Sequence, residues 1–303
     1  QAFVAMAPRF HEAGAHLFLV CCAPTSVLAS DAAKLGETAR LVSDLDGQTA
    51  ARYGVSGRAA AFVCDPNARV RAVFTTGRIV GDALDCVRAL TPTAPVTIGM
   101  HAPILLVPNA LEPEFCKYLI GEYHRRGHQE SGTFRMVDGQ MVKAPNYGVK
   151  RRQDHHVTDA DLLEEIGSRF RRRIAPEILR AFHARIAWVE EFKIVCYDSE
   201  PGGYFRPHRD NTAPQTAHRR FAMTLVLNAE EFEGGALRFP EFGNVQYQPQ
   251  TGMAVVFSCS LLHEATPITK GLRYVLLSFM SDEGGKAQYQ RYLEFSRKQA
   301  PSG

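Results

Sequence analysis

His208-Arg209-Asp210 is the stretch that most restricts what this chain can become, because it sets an imidazole and a carboxylate two residues apart after a strand-like run and a turn. Glu191-Phe192-Lys193-Ile194-Val195-Cys196-Tyr197 reads as the strand, and Gly202-Gly203-Tyr204-Phe205-Arg206-Pro207 as the turn. Along an extended backbone, residues i and i+2 share a side, so both groups can reach one ion. His263 offers a third ligand downstream, and Arg273 follows ten residues later. Two histidines and one carboxylate on one face of a metal leave its other positions open.

Spacing alone does not decide the matter. With 11 His and 32 acidic residues in 303, about one His-x-Asp/Glu is expected by chance. A second one exists, His128-Gln129-Glu130, followed by His183 and Lys193 at the same intervals as His208/Asp210, His263 and Arg273. Its surroundings differ. His183 falls in a run whose apolar residues recur at helical intervals after Pro176, and His128 sits in a polar turn. His208 and His263 instead adjoin strand-like runs rich in Val, Leu, Phe and Thr.

Those runs form a series. Residues 220–228 read as a strand, Glu233-Gly234-Gly235 as a turn, and 236–239, 252–258 and 273–279 as further strands. Many short strands separated by Gly and Pro turns predict a jelly roll or sandwich of the cupin-like class, whose mouth is a usual place for a ligand pocket.

Tyr197 with Gly202-Gly203-Tyr204, His208-x-Asp210, Glu233-Gly234-Gly235-x-Leu237, and His263-Glu264-Ala265-Thr266-Pro267 followed by Lys270-Gly271-x-Arg273-Tyr274 resemble the catalytic domain of 2-oxoglutarate and Fe(II)-dependent oxygenases, in particular their prolyl 4-hydroxylase branch. The likeness covers most of residues 104–282. It implies a double-stranded β-helix flanked by helices, Fe(II) held by His208, Asp210 and His263, 2-oxoglutarate and O2 as cosubstrates, and ascorbate as an optional reductant. The distal carboxylate of 2-oxoglutarate needs a fixed cation, and a guanidinium can grip it with two parallel hydrogen bonds. Arg273 suits that role, although many prolyl hydroxylases carry Lys there; Tyr197 matches a tyrosine of the same pocket. Related halogenating enzymes have a small residue in place of the carboxylate ligand, so Asp210 implies hydroxylation. The implied reaction is hydroxylation of an unactivated C–H bond in a prolyl or other amino-acid residue, with succinate and CO2 released. The alternative reading is a non-catalytic protein-interaction module, and a thiol peroxidase comes third.

Length and composition, 303 residues with 45% hydrophobic, suit two ordinary cores. A net charge of +3 with mixed signs gives little support for nucleic-acid binding. Apolar runs such as 17–23 are far shorter than a membrane span of about 20 residues, and no secretory signal is visible. The seven scattered Cys argue for a reducing cytoplasm rather than a disulfide framework. Oligomeric state stays open, with a homodimer among the options.

Residues 1–90 alternate helical and strand patterns: helix 2–13, a buried strand 15–22, a strand 41–43, helix 46–53, a hairpin of 59–64 and 70–75 around Asp65-Pro66-Asn67, and helix 82–90. Ser43-Asp44-Leu45-Asp46-Gly47, Tyr53-Gly54-Val55 and Phe62-Val63-Cys64-Asp65 resemble the later part of a peroxiredoxin, of thioredoxin fold. The element that bears the reactive cysteine in such proteins would lie before Gln1, so redox activity is not expected of this domain. Cys21 and Cys22 are adjacent, with Cα atoms about 3.8 Å apart, too close for an ordinary disulfide; two small buried hydrophobes are the expectation. Residues 91–103 read as a Pro- and Thr-rich linker. In the second domain, 104–303, a helix is expected at 112–127, a long polar stretch at 129–156 with a hairpin at 136–142, two helices within 159–185, and a last helix at 287–300. Lys150, Arg151 and Arg152 either touch substrate or pair with Asp154, and Arg169, Arg171, Arg172 and Arg173 read as a solvated face offset by neighbouring acids.

Overall fold

The computed structural model describes residues 2–65, 68–90, 99–137 and 140–299 of the chain, with backbone alone at 133–137, 140–143, 298 and 299. It divides into two compact units, Gln1–Thr97 and Ile98–Gly303.

The first unit is mixed α/β. Strand Leu17–Cys21 lies parallel to Ala39–Ser43, a pairing that requires a crossover, here helix Thr25–Leu35. Ala61–Cys64 and Val70–Phe74 form an antiparallel hairpin; Pro66 and Asn67 of its turn lie outside the described residues, as do 91–98 of the expected linker. Helices Ala2–Glu12 and Ile79–Leu90 close a small core around Phe10, Ala61, Val63, Ala83 and Leu84. Two expectations need correction. The strand at 15–22 is not buried, since Phe18 is 63% and Val20 47% exposed: a sheet of two strands has only one face covered. Cys22 is exposed and Cys21 half-buried, so neither is a core hydrophobe. The Thr25–Leu35 helix escapes the periodicity because only Leu35 of it is buried.

The second unit rests on two antiparallel sheets. Among the described residues the larger has nine strands, seven of which run in spatial order Leu105–Val107, Ala254–Ser258, Phe221–Val226, Ile268–Ser281, Lys193–Asp198, Gln153–His156 and Gln129–Glu130. The smaller runs Gln246–Tyr247, Leu237–Arg238, His263–Ala265, Tyr204–His208 and Lys150–Arg151. Side chains alternate between faces along each strand. Ile194, Cys196, Met223, Leu225, Tyr274 and Leu276 take one face of the larger sheet and pack on Phe115, Leu119, Leu162, Ile166 and Ile178 of helices Pro113–Arg126, Ala160–Arg173 and Ala175–Phe182. Val195, Tyr197, Val226 and Val275 take the other face and meet Phe205 and Ala265 of the smaller sheet. Fully burying an aliphatic side chain contributes about 1.5–3 kcal/mol, so the two layers are joined mainly by this shared apolar filling.

Local chemistry sets the helix ends. Pro113 pre-organises the first turn of its helix, and Asp159 caps the next by accepting from the Leu162 N–H at 3.0 Å. Arg169 bonds Glu112 at 2.9 Å, Arg173 pairs with the same carboxylate and Arg171 with Glu164, so three of the four arginines on that helix meet acids, in keeping with the expected solvated face. The last helix, Glu283–Gln299, starts earlier than expected because the Gly285 N–H bonds Asp282 Oδ1 at 2.7 Å and caps a start that Gly284 and Gly285 disguise. Residues 129–156 are not one long loop: Gln153–His156 pairs with both Lys193–Asp198 and Gln129–Glu130, and Thr133–Val137 pairs with Gln140–Ala144 in the expected hairpin, whose Asp138 and Gly139 lie outside the described residues.

Candidate metal centre

The chain does not turn throughout 202–207, as its Gly and Pro content suggests; Tyr204 already begins the strand Tyr204–His208. This strand lies antiparallel to His263–Ala265, with His208 directly opposite His263 and Phe205 opposite Ala265. Between these pairs two residues, Arg206 and Pro207, stand opposite one, Glu264, so one extra residue is accommodated between Phe205 and His208. In a regular strand those two would point to opposite faces. With the extra residue they share one, and the Phe205 ring stacks on His208 at 3.5 Å between centroids.

Asp210 lies just past the strand, in the following turn, rather than on the extended backbone its spacing suggests. Its N–H bonds the Cys259 carbonyl at 3.0 Å, which folds the turn back toward the segment leading to His263. The result is compact. Asp210 Oδ1 lies 3.3 Å from His208 Nε2, and Asp210 Oδ2 lies 3.3 Å from His263 Nε2. Among the described residues this is the single trio of His, Cys, Asp or Glu side chains whose ligand atoms gather within 4.8 Å.

The donor set fits a metal ion. Two ligand atoms each about 2.1 Å from one ion and at a right angle stand about 3 Å apart, close to the spacing found. His208 Nδ1 donates to the Arg206 carbonyl at 2.8 Å and His263 Nδ1 to the Leu261 carbonyl at 3.0 Å, because a carbonyl can only accept. Each imidazole is thereby fixed with its Nε2 lone pair free and turned toward Asp210. Burial disfavours the charged form of His263 and lowers its pKa. Burial works against ionisation of Asp210, yet His263, His208 and Arg219 together hold its carboxyl below the usual carboxylate range. A neutral imidazole and an ionised carboxylate are the forms that bind metal.

Arg273 and Tyr197 are direct cross-strand partners in the larger sheet, on the face turned to the smaller one. Arg273 is 3% exposed, its guanidinium lies 5.2 Å from the centre of the Tyr197 ring and 5.9 Å from that of Phe232, and no carboxylate among the described residues forms a salt bridge with it. Burial lowers its pKa, and nearby Arg152 adds to the effect. Two glycines make its room. A Cβ on Gly235, at φ +62°, would strike Ile268 Cδ1 and come within 2.8 Å of Arg273 Cδ, and one on Gly203 would come within 2.9 Å of Tyr197 Cβ. Phe205 belongs to the same packed cluster as Tyr197 and stacks on His208, so the arginine pocket and the trio share a wall.

Arg152 is the residue in this region that spacing underrates. It is buried, donates to the Tyr197 hydroxyl at 3.2 Å, lies 5.3 Å over Phe205 and forms a 3.0 Å ion pair with Asp154. The pairing with Asp154 was one of the two expected roles; its contact with Tyr197 could have been suspected only from the strand register. Arg151 donates to the Pro201 carbonyl at 2.7 Å, and Lys150 lies 5.3 Å over Phe205. A cleft of about 300 Å³ beside them is lined by Tyr147, Arg151, Arg152, Cys196, Asp198 and Gly203, among others. Arg220 is engaged elsewhere, by Gln288 at 3.2 Å and Asp282 at 3.5 Å.

The second His-x-Glu set does not converge. His128 stacks on Tyr123 at 4.3 Å, Glu130 is exposed, Lys193 pairs with Glu191 at 2.8 Å, and His183 lies not within a helix but at its C-cap with φ 51°. His128→Ala and His183→Ala are therefore expected to leave the affinity for Mn(II) at its wild-type value, as titration followed by electron paramagnetic resonance would show.

Residues 192–281 match the sequence profile of the 2OG-Fe(II) oxygenase superfamily. Within that segment the chain carries the trio His208, Asp210 and His263, the donor set of a 2-His-1-carboxylate site. Its curated relatives are hydroxylases: a human multifunctional procollagen lysine hydroxylase and glycosyltransferase, 25% identical over 177 residues, 56% of this chain and 22% of that protein, and PKHD-type hydroxylases of Azoarcus, 32% identical over 32% of this chain and 44% of that protein, and of Cupriavidus metallidurans, 25% identical over 60% and 81%. The chain spans less than half the length of the human and Azoarcus relatives. Among solved structures it is similar to a prolyl hydroxylase of Trichoplax adhaerens in complex with a peptide fragment, at a TM-score of 0.47, 15% identity and coverage of 61% of this chain and 86% of that one. A Pseudomonas putida prolyl-4-hydroxylase gives 0.43, 17%, 60% and 94%. Among the described residues no helix is long and apolar enough to cross a membrane.

Proposed function

We propose that this protein hydroxylates an unactivated C–H bond of a prolyl or other amino-acid residue in a peptide or protein, placing one oxygen atom of O2 in the product and the other in succinate as 2-oxoglutarate loses CO2. The observation that carries the reading is a buried arginine without an acidic partner, sharing a wall with the metal-ligand trio. A buried unpaired charge is costly, and the distal carboxylate of 2-oxoglutarate would pair it. Arg273 and the Tyr197 hydroxyl are the groups to hold that carboxylate. His208, Asp210 and His263 would hold Fe(II), which when bound supplies the activation of O2. Phe205 and the apolar cluster around Val195, Val226, Ile268 and Val275 exclude water from the same space. The pairing of sheets corresponds in this reading to a double-stranded β-helix spanning 104–303. Succinate release from Fe(II)-loaded protein, tested against peptides, free amino acids and cell extract, checks the proposal; no succinate above the substrate-free rate with any of them would count against it.

We assign residues 1–90 to a thioredoxin-like scaffold without redox chemistry and 91–103 to a linker; the parallel strand pair, hairpin and closing helix support that assignment. Cys21→Ser/Cys22→Ser is expected to keep at least half of the hydroxylation rate. Peroxide consumption that needs a thiol reductant and disappears in that double variant would overturn it.

A further inference from the structure

Arg209, the residue between two metal ligands, carries a connection that the reaction chemistry does not require. Its Nη2 donates to Glu241 Oε1 at 2.6 Å and its Nη1 to Glu241 Oε2 at 3.1 Å, and Nη1 also donates to the Ser260 carbonyl. Glu241 Oε2 in turn accepts the Leu262 N–H at 2.9 Å. Leu262 immediately precedes His263, and Arg209 sits between His208 and Asp210. One carboxylate thus ties together the chain neighbours of all three ligands. Asn211 Nδ2 adds a 2.8 Å bond to Ser260 Oγ, beside the backbone bond from Asp210 to Cys259. Glu241 is itself anchored, since it lies in the short turn Pro240–Phe242 next to Phe239, which is 1% exposed and packs edge-on against Phe257 at 5.1 Å.

The pair has little to offer global stability. Its side chains are 37% and 39% exposed, and exposed ion pairs contribute about 0–1 kcal/mol. Geometry gains more. The trio is assembled from two segments some fifty residues apart in sequence, 208–210 and 263, and groups that orient metal ligands without touching the ion are typically worth about 10–100-fold in metal affinity. A fork-to-fork guanidinium–carboxylate contact fixes both distance and angle.

We propose that Arg209 and Glu241 are positioning residues of the metal centre, a clamp that sets the spacing between the His208–Asp210 turn and the His263 strand. This rests on the reading of the trio as a metal site. The test uses the metal-free chain with both its units, with Co(II) binding followed by visible absorption and thermal unfolding measured on the same samples. Arg209→Ala and Glu241→Ala are each expected to weaken Co(II) binding by about tenfold or more while leaving the melting temperature of the metal-free protein close to wild type. The double variant should be little weaker than either single one, because both break one contact. Arg209→Lys keeps the charge but loses the fork, and Glu241→Gln keeps an acceptor for Leu262 but loses the charge, so both should fall between wild type and the alanine variants. Should an alanine variant fail to fold, these two carry the test. Folded variants that bind Co(II) as wild type does would overturn the clamp, whereas a wild-type protein that binds no Co(II) would overturn the metal-centre reading and the clamp with it.

Discussion

Replacing His263 by Ala is expected to abolish turnover and to weaken metal binding by more than about 100-fold, since outer partners of metal ligands alone are worth 10–100-fold and this change removes a ligand. The side chain cannot be substituted from nearby: it lies 6% exposed between Phe257 and Phe239, and the rings that flank it have no lone pair to offer. Asp210 would be left with one imidazole at 3.3 Å instead of two. Mn(II) binding followed by electron paramagnetic resonance and succinate production would both report the loss. Full activity without His263, or metal binding that survives removal of all three side chains, would take away the basis of the proposed reaction.

Arg273→Ala should act on the cosubstrate and leave the metal alone. The guanidinium has no carboxylate partner in the protein, so the dicarboxylate that pairs it loses its counter-charge in the variant, at a cost of about 3 kcal/mol or more by analogy with broken buried pairs. At about 1.4 kcal/mol per factor of ten, apparent affinity for 2-oxoglutarate falls by roughly two orders of magnitude. Arg273→Lys should recover part of that loss, because an ammonium keeps the charge without the two-pronged grip. Titration of 2-oxoglutarate into Fe(II)-loaded wild type and variants, followed by the absorption band of the iron–cosubstrate complex, decides it. Unchanged affinity in Arg273→Ala would shift the role to Arg152 or Tyr197, the other polar groups against the same wall.

The site was more legible in the sequence than the scaffold that holds it. His208, Asp210 and His263 stand out because metal ligation demands particular atoms at particular spacings, and the strand-like runs beside them separate the set that converges from the His128 set. What spacing could not convey is the tie between segments. The contact of Arg152 with Tyr197 follows from strand register, and that of Arg209 with Glu241 from the fold of a turn, neither of which leaves a periodic trace in composition. The strand beginning at Tyr204 was hidden for a different reason: Gly202, Gly203 and Pro207 are turn formers by local preference, yet ladder pairing with His263–Ala265 and Lys150–Arg151 overrides that preference. In the first unit, Phe18 and Val20 read as buried because apolar residues usually pay for a strand by leaving water, and a two-stranded sheet cannot cover both faces.

The extra residue between Phe205 and His208 leaves the centre indifferent to chain identity at the two positions between them. Arg206 and Pro207 are both exposed, and many side chains could stand in their places without touching a ligand. Drift by substitution in this segment is therefore compatible with a working centre, and a library that varies residues 206 and 207 at constant length should retain metal binding.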